Sequence, residues 1–297
     1  MNIRYGVVGL AIAIAAACGG KTPTGPTPVP DPGPVVTNVP PVIGKFTVQS
    51  TRANAPADFA NVLDDVQVSV VVTDAEPSST ELKFNWSAAV GSFSGTGRSV
   101  VWKAPATVTT LNDVTLNLEV VETFMSQGKP VENKVTGSTA LSLHDSAKEV
   151  GDMARQFLLD FSDSFITNIP FIMRNFEPGC YGTDAETRDV TANRENFEIK
   201  QWQVDEPTTT INFNGTCPFP GRPSPRGDAC SLVRTYWVSI ARRDFDTTKK
   251  GDVSIASGID HVAAYYYPAQ RRWRLCDSQY ALDAVSFKAA QIRGLVP

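Results

Sequence analysis

From about residue 43 to residue 144 the apolar residues recur at every second position, and from residue 145 they recur at helical spacing, so one chain encodes two kinds of fold. The alternation predicts strands over 45–50, 66–73, 81–87, 98–102, 113–122 and 134–143, each bounded by turn residues. Val66, Val68, Val70 and Val72 share one strand face, and Leu82, Phe84 and Trp86 share a face of the next. Two sheets packed face to face bury both sets, an all-β sandwich. Beyond Asp145 the pattern is different. Ser146 and Glu149 have the spacing of a capping box, and Val150, Met153, Ala154, Phe157, Leu158, Phe161 and Phe165 follow along one helical face. Pro170 closes this helix, and 172–176 and 185–196 predict two more. The period returns to two near 196–204, 208–216, 230–243 and 259–276, the last broken at Pro268, and 281–292 reads as a terminal helix. Helices followed by antiparallel strands make an α+β domain in which a curved sheet folds over the long helix.

Composition allows both parts. A chain of 297 residues, 42% of them hydrophobic, can bury two ordinary cores. With 27 basic against 31 acidic residues the formal charge is -4, and such a chain has no basic field to hold a phosphate backbone; nucleic acid is not expected as a partner. Only His144 and His261 are available as histidine ligands or bases. Cys180, Cys217, Cys230 and Cys276 all lie in the second part, and an even number in an exported chain reads as two disulfides with three possible pairings. Cys217 and Cys230 flank the loop PFPGRPSPRGDA, as a clamp on a hairpin would; Cys180 then reaches Cys276. No C-x-x-C spacing favours zinc.

Export is written at the N-terminus. Arg4 precedes an apolar run from Val7 to Ala17, which is too short to span a bilayer and reads as a signal peptide over residues 1–17. Ala15, Ala16, Ala17 and Cys18 resemble the bacterial lipobox, with alanine where leucine is usual at its first position. That resemblance implies a lipid on Cys18, now the first residue of the mature chain, and an address at the bacterial outer membrane or cell surface. Residues 18–42 follow as a Pro/Thr-rich tether, since residues 21–42 hold eight of the chain's 21 prolines and suit extended polyproline II.

Residues 43–144 have the length of one immunoglobulin-like domain. The runs NVPPVIGKFTV, VTDAEPSSTELKFNWSAAVGSFSGTG and VVWKAPATV resemble the PKD-like and other immunoglobulin-like domains of bacterial surface lipoproteins, in which a tryptophan on a central strand packs between the sheets. Ser87, Ala88, Ala89 and Val90 stand where PKD domains carry Phe-Gly-Asp-Gly, so a related subtype fits better. Such modules imply a spacer or adhesion role. The element order of residues 145–297 resembles the cone-shaped fold of the nuclear transport factor 2-like and SnoaL-like families, and a cystatin-like helix on a sheet fits nearly as well. Members of that superfamily include isomerases, dehydratases and binding domains, the enzymes being marked by an acid or a His-Asp pair at the mouth of the cone.

No catalytic residue, metal site or cofactor is expected from the motifs. Gly91-Ser92-Phe93-Ser94-Gly95 is not a nucleophile elbow, and Asp64, Asp65, Asp74 and Glu76 lack calcium-loop spacing. Asp260 and His261 adjoin on a strand and so point to opposite faces. Asp184, Glu186, Asp189 and Glu195 read as caps and solvated charges on the third helix, and Arg226-Gly227-Asp228 as a chance match to the integrin-binding tripeptide. Aromatic and basic residues cluster on the late strands: Tyr236, Trp237, Tyr265, Tyr266, Tyr267 and Trp273, with Arg234, Arg242, Arg271, Arg272 and Arg274. From them Arg234, Tyr236, Tyr265, Tyr267 and Trp273, with His261, are the candidates for a ligand surface. The expectation is a lipid-anchored envelope protein in which a stalk presents a binding domain to an envelope protein, glycan or small ligand; the alternative is a SnoaL-like enzyme with a C-terminal pocket.

Overall fold

The structure is a computed structural model, and it describes residues 25, 33–76, 81–108, 112–217, 225–242 and 253–282. The expected signal peptide, Cys18, most of the expected tether and the greater part of the expected terminal helix lie outside the described residues. The fold is mostly β.

The first part contains β1 (Val42–Ser50), β2 (Phe59–Asn61), β3 (Asp65–Thr73), β4 (Glu81–Ala88), β5 (Ser92–Ser94), β6 (Ser99–Lys103), β7 (Asn112–Ser126) and β8 (Lys129–His144). They form two four-stranded sheets, β1-β3-β6-β5 and β2-β8-β7-β4. On β3 the alternate valines 66, 68, 70 and 72 are all buried. They meet Leu116, Leu118, Val120, Leu141 and Leu143 of the other sheet, so the period-two pattern becomes a shared apolar layer. β7 and β8 join through Gln127 and Gly128, both at positive φ (52° and 70°), the two-residue turn whose twist suits a hairpin.

Two tryptophans pack between the sheets: Trp102, fully buried on β6, and Trp86, only partly buried and 6.0 Å from Phe46 of the facing sheet. β4 carries Trp86 but is an edge strand, which leaves that ring half-buried with its Nε1 donating to the Gly97 carbonyl at 3.0 Å. Trp102 Nε1 donates to Val90 O at 3.1 Å, and Gly91 turns under the indole where any Cβ would overlap the ring. Asp64, in the loop before β3, accepts from Ser50 Oγ, Asn61 N and Arg52 Nη2, and so holds a loop together.

Residues 33–41 run along the β7–β8 hairpin and are not part of the free tether. Gln127 N donates to Pro34 O and Val36 N to Ser126 Oγ, each at 3.2 Å. Asn38 Nδ2 and Asn133 Nδ2 each donate at 3.0 Å to the fully buried carboxylate of Glu122. The chain therefore enters at the hairpin tip.

The second part contains α1 (Ser146–Ser162), α2 (Ile169–Ile172), α3 (Thr183–Asn196), β9 (Phe197–Val204), β10 (Thr208–Thr216), β11 (Arg226–Arg242), β12 (Val253–Tyr267) and β13 (Arg272–Leu282). Its sheet runs β10-β11-β12-β13 and is antiparallel throughout, with β9 pairing the far half of β11. α1 lies on one face and buries Val150, Ala154, Phe157 and Leu158 against it.

Several sequence expectations change here. The cap of α1 is Asp145, whose side chain accepts from Lys148 N, because Ser146 is drawn inward: its Oγ accepts from Trp273 Nε1 at 3.0 Å. α1 ends at Ser162, so Phe165 is 95% exposed and belongs to no helical face. Pro170 starts α2 instead of stopping α1, as its fixed φ and missing N–H suit a first turn. Arg226-Gly227-Asp228 opens β11; Asp228 is buried and accepts from Asn214 N and Tyr266 N, which leaves no displayed tripeptide.

Two disulfides are present, Cys180–Cys276 with Cα atoms 5.3 Å apart and Cys217–Cys230 at 5.2 Å. The second ties the ends of the Pro-rich loop; the first ties the segment before α3 to β13.

Only Asp145 separates β8 from α1. Phe59 of β2 is fully buried in the apolar cluster of the second part, with ring centroids 5.2 Å from Phe213 and 4.9 Å from Tyr266. Arg271 Nη1 also reaches Asp113 Oδ2 at 2.9 Å across the two parts. The sequence boundary at 144–146 is thus a packed junction.

Candidate functional site

On β12, alternation points Asp260, Val262, Ala264 and Tyr266 toward α1, and the apolar three join the core beneath the helix. Asp260 continues that row past the end of the apolar packing. There a cavity of about 330 Å³ opens between α1, α3, β9, β12 and β13. Its aromatic wall is Phe157 and Phe161 from α1, Trp202 from β9 and Tyr280 from β13. Phe157 and Phe161 are one helical turn apart with centroids at 6.3 Å, and Phe161 meets Trp202 edge-on at 5.7 Å. Glu186 and Asp189 of α3 line the same cavity, and the charge of Asp260 is felt at Glu186.

α3 is a polar helix with only Thr183 and Val190 buried, so its own apolar face does little to hold it. Its position comes from specific ties. Arg194 donates to the carbonyls of Asp160, Phe161, Asp163 and Ile166, satisfying acceptors left over at the C-terminal end of α1. At the other end the Cys180–Cys276 bridge holds the approach to α3 on β13. Asp160, buried in α1, is paired with Arg174 and takes a further bond from Gln156.

Asp260 is 6% exposed and accepts a hydrogen bond at 3.0 Å from Thr235 Oγ1. Burial pushes its carboxyl up to about 7, a rise that the Thr235 hydrogen bond only partly opposes. Burial also raises Glu186 well above the ordinary carboxylate range, and the charges of Asp260, Asp189 and Asp277 add to the rise. Burial raises Tyr280 as well, helped by the charge of Asp260. The cavity thus holds two carboxyls that burial raises above the ordinary carboxylate range, Asp260 to about 7, and a phenol that burial also raises.

The raised Asp260 carboxyl has a consequence for stability. Unfolded, an aspartate titrates near ~3.9, so between about pH 4 and pH 7 the folded chain binds the extra proton and loses stability as pH rises. Asp260→Asn keeps an acceptor for Thr235 and removes that cost. We expect the variant to match wild type near pH 4 and to exceed it by on the order of 2–4 kcal/mol at pH 8, from about 1.4 kcal/mol per pKa unit. Denaturant titrations at the two pH values check this, and a variant that loses stability at pH 8 contradicts it.

The sequence candidates do not form one surface. Trp273 faces α1, is 2% exposed and belongs to the core. Arg234, Tyr236, His261, Tyr265 and Tyr267 alternate to the other face of the sheet, where Tyr236 and His261 are buried and Tyr265 stacks edge-on with Tyr181. Two arginines of the late strands serve the fold: Arg274 holds Arg174 O and Glu177, and Arg272 holds Gln270. The side chains of Arg242 and Trp237 lie outside the described residues. Glu186, read from sequence as solvated, is half-buried in the cavity wall; Asp189 borders the cavity but is exposed, as are Asp184 and Glu195. One signal for the cavity was present: Asp260 keeps the register of Val262 and Ala264, an acid on an otherwise apolar face.

His144 sits in a second polar group. Its Nε2 lies 2.9 Å from Ser142 Oγ and 3.2 Å from Tyr266 Oη, and its Nδ1 lies 3.0 Å from Glu149 Oε2. The order Ser-His-Glu resembles a hydrolase relay, yet Ser142 and His144 are 1% and 0% exposed under Phe59. No substrate reaches a hydroxyl so enclosed, and the network serves the junction.

Neither the sequence nor the fold matches a known protein family, a curated protein or a solved structure.

Proposed function

We propose that this is a lipid-anchored bacterial envelope protein that captures a small ligand in the cavity of its second part. The observation that carries the reading is the cavity itself: bounded by two helices and a sheet, with aromatic side chains in its walls and several polar groups beside them, as ligand sites are. The long helix on a curled antiparallel sheet supports a cone-shaped fold of the nuclear transport factor 2-like kind. The two facing sheets of the first part support an immunoglobulin-like stalk. β8 runs 16 residues from the hairpin tip, where the N-terminal segment docks, to the junction with α1. At ~3.3 Å per residue that is about 50 Å, so the stalk holds the cavity well away from the anchored end.

Two measurements test the reading. Cys18→Ala moves the protein from the membrane fraction to the soluble one and abolishes palmitate labelling; labelling that persists contradicts the anchor. In a thermal-shift screen of small polar and aromatic compounds on the full chain, hits disappear in Ala192→Trp, which fills the cavity from α3. Hits that survive this substitution place binding elsewhere.

A second reading is favoured by the carboxyl pair alone. Asp260 and Glu186, carboxyls that burial raises above the ordinary range, have the properties of a general acid and base in an enzyme of the SnoaL-like class. Turnover of a hit from the same screen, lost in Asp260→Asn, distinguishes catalysis from capture.

A further inference from the structure

Resting on the cavity as a ligand site, we infer that its occupant is an organic cation, an amine or quaternary ammonium held between the carboxylates of Asp260 and Glu186 and the aromatic wall.

Three carboxyl groups line the cavity, and among the described residues its walls contain no lysine, arginine or histidine. Asp260 has one oxygen engaged by Thr235 Oγ1; its other oxygen accepts no hydrogen bond among the described residues. A buried carboxylate without a counter-charge is costly, so the compensating charge must come from a proton or from the ligand. Burial raises both carboxyls, Asp260 to about 7, which is the direction the first of these requires. A cation supplies the second and releases the proton. An anionic ligand would add to the repulsion, and a neutral one would leave it unrelieved.

The aromatic wall points the same way. Phe157, Phe161, Trp202 and Tyr280 line the same cavity as the carboxyls, and aromatic rings beside a cationic group are the usual means of recognising ammonium ligands. Asn193, Asn196 and Ser278 add neutral polar groups, which suit a ligand that also carries hydroxyl or carbonyl functions.

The test compares three probes of similar shape by calorimetric titration of the full chain at pH 7.5: benzyltrimethylammonium, its neutral carbon isostere neopentylbenzene, and phenylacetate. We expect the cation to bind at least tenfold tighter than the isostere, with phenylacetate weakest. In Asp260→Asn/Glu186→Gln the cation falls to the affinity of the isostere, while the isostere is unchanged. Equal binding of all three, tighter binding of phenylacetate, or full cation affinity in the double variant overturns the inference. If the library screen yields compounds that Ala192→Trp excludes and the cation is not bound, the cavity stands and the cation assignment fails. If no compound depends on the cavity, the ligand-capture reading itself fails.

Discussion

Phe59→Ala lowers the stability of the whole chain by about 3–5 kcal/mol, the range for truncating a fully enclosed aromatic side chain. The ring lies on a three-residue strand of the first part, yet its neighbours are His144, Phe213, Tyr266 and Trp273, with centroid distances of 5.1, 5.2, 4.9 and 6.5 Å. Removing it leaves a void where both parts meet, and His144 loses the ring stacked on it. Because the junction has no linker to relax, the two parts lose their mutual support together. In wild type we expect one denaturant transition seen equally by near- and far-ultraviolet dichroism; in Phe59→Ala the transition moves to lower denaturant and divides in two. For the same reason the fragments 43–144 and 145–297, expressed separately, should each be less stable than the same residues in the intact chain. A loss below about 1 kcal/mol, or fragments as stable as the parent, would show that the junction only looks coupled.

Opening the Cys180–Cys276 bridge has an effect of similar size through the unfolded state. The two cysteines are 96 residues apart, and closing a loop of that length restricts the denatured chain by ~4–5 kcal/mol in the chain-entropy view, against ~3 kcal/mol for the 13-residue separation of Cys217 and Cys230. Cys180→Ser/Cys276→Ser is therefore expected to be the more destabilising of the two double variants. It also has a local effect, since the bridge pins the approach to α3, a helix with little apolar surface of its own. Hydrogen exchange in 183–196 should quicken beyond what the global loss of stability accounts for, and the cavity should lose its hits in the thermal-shift screen while the first part stays protected. If the Cys217–Cys230 variant proves the weaker, or if α3 keeps its protection, α3 is held by Arg194 and the bridge acts on the unfolded chain alone.

The features legible in the sequence were those carried by local periodicity. Alternating valines on β3 named the face that the sheets bury, because successive side chains of a strand point to opposite sides whatever the strand pairs with. The apolar stripe from Val150 to Phe161 named α1 for the equivalent reason, and the even number of cysteines after Cys18, with the expectation of export, implied two bridges. The site was not legible in that way. Strand alternation separates Asp260 from its neighbour His261 and Trp273 from the other aromatics, while Glu186 comes from a helix some 70 residues earlier. Charge on a polar helix reads as solvent-facing until one knows that Arg194 and a disulfide hold that helix over the mouth of a sheet. Phe59 sits in a segment too short for any period, and its burial depends on a partner surface built more than 100 residues later in the chain. Periodicity records which side of an element is apolar, but not which distant element will cover it; that choice rests on the summed packing of the whole chain, and in this protein it set both the junction and the cavity.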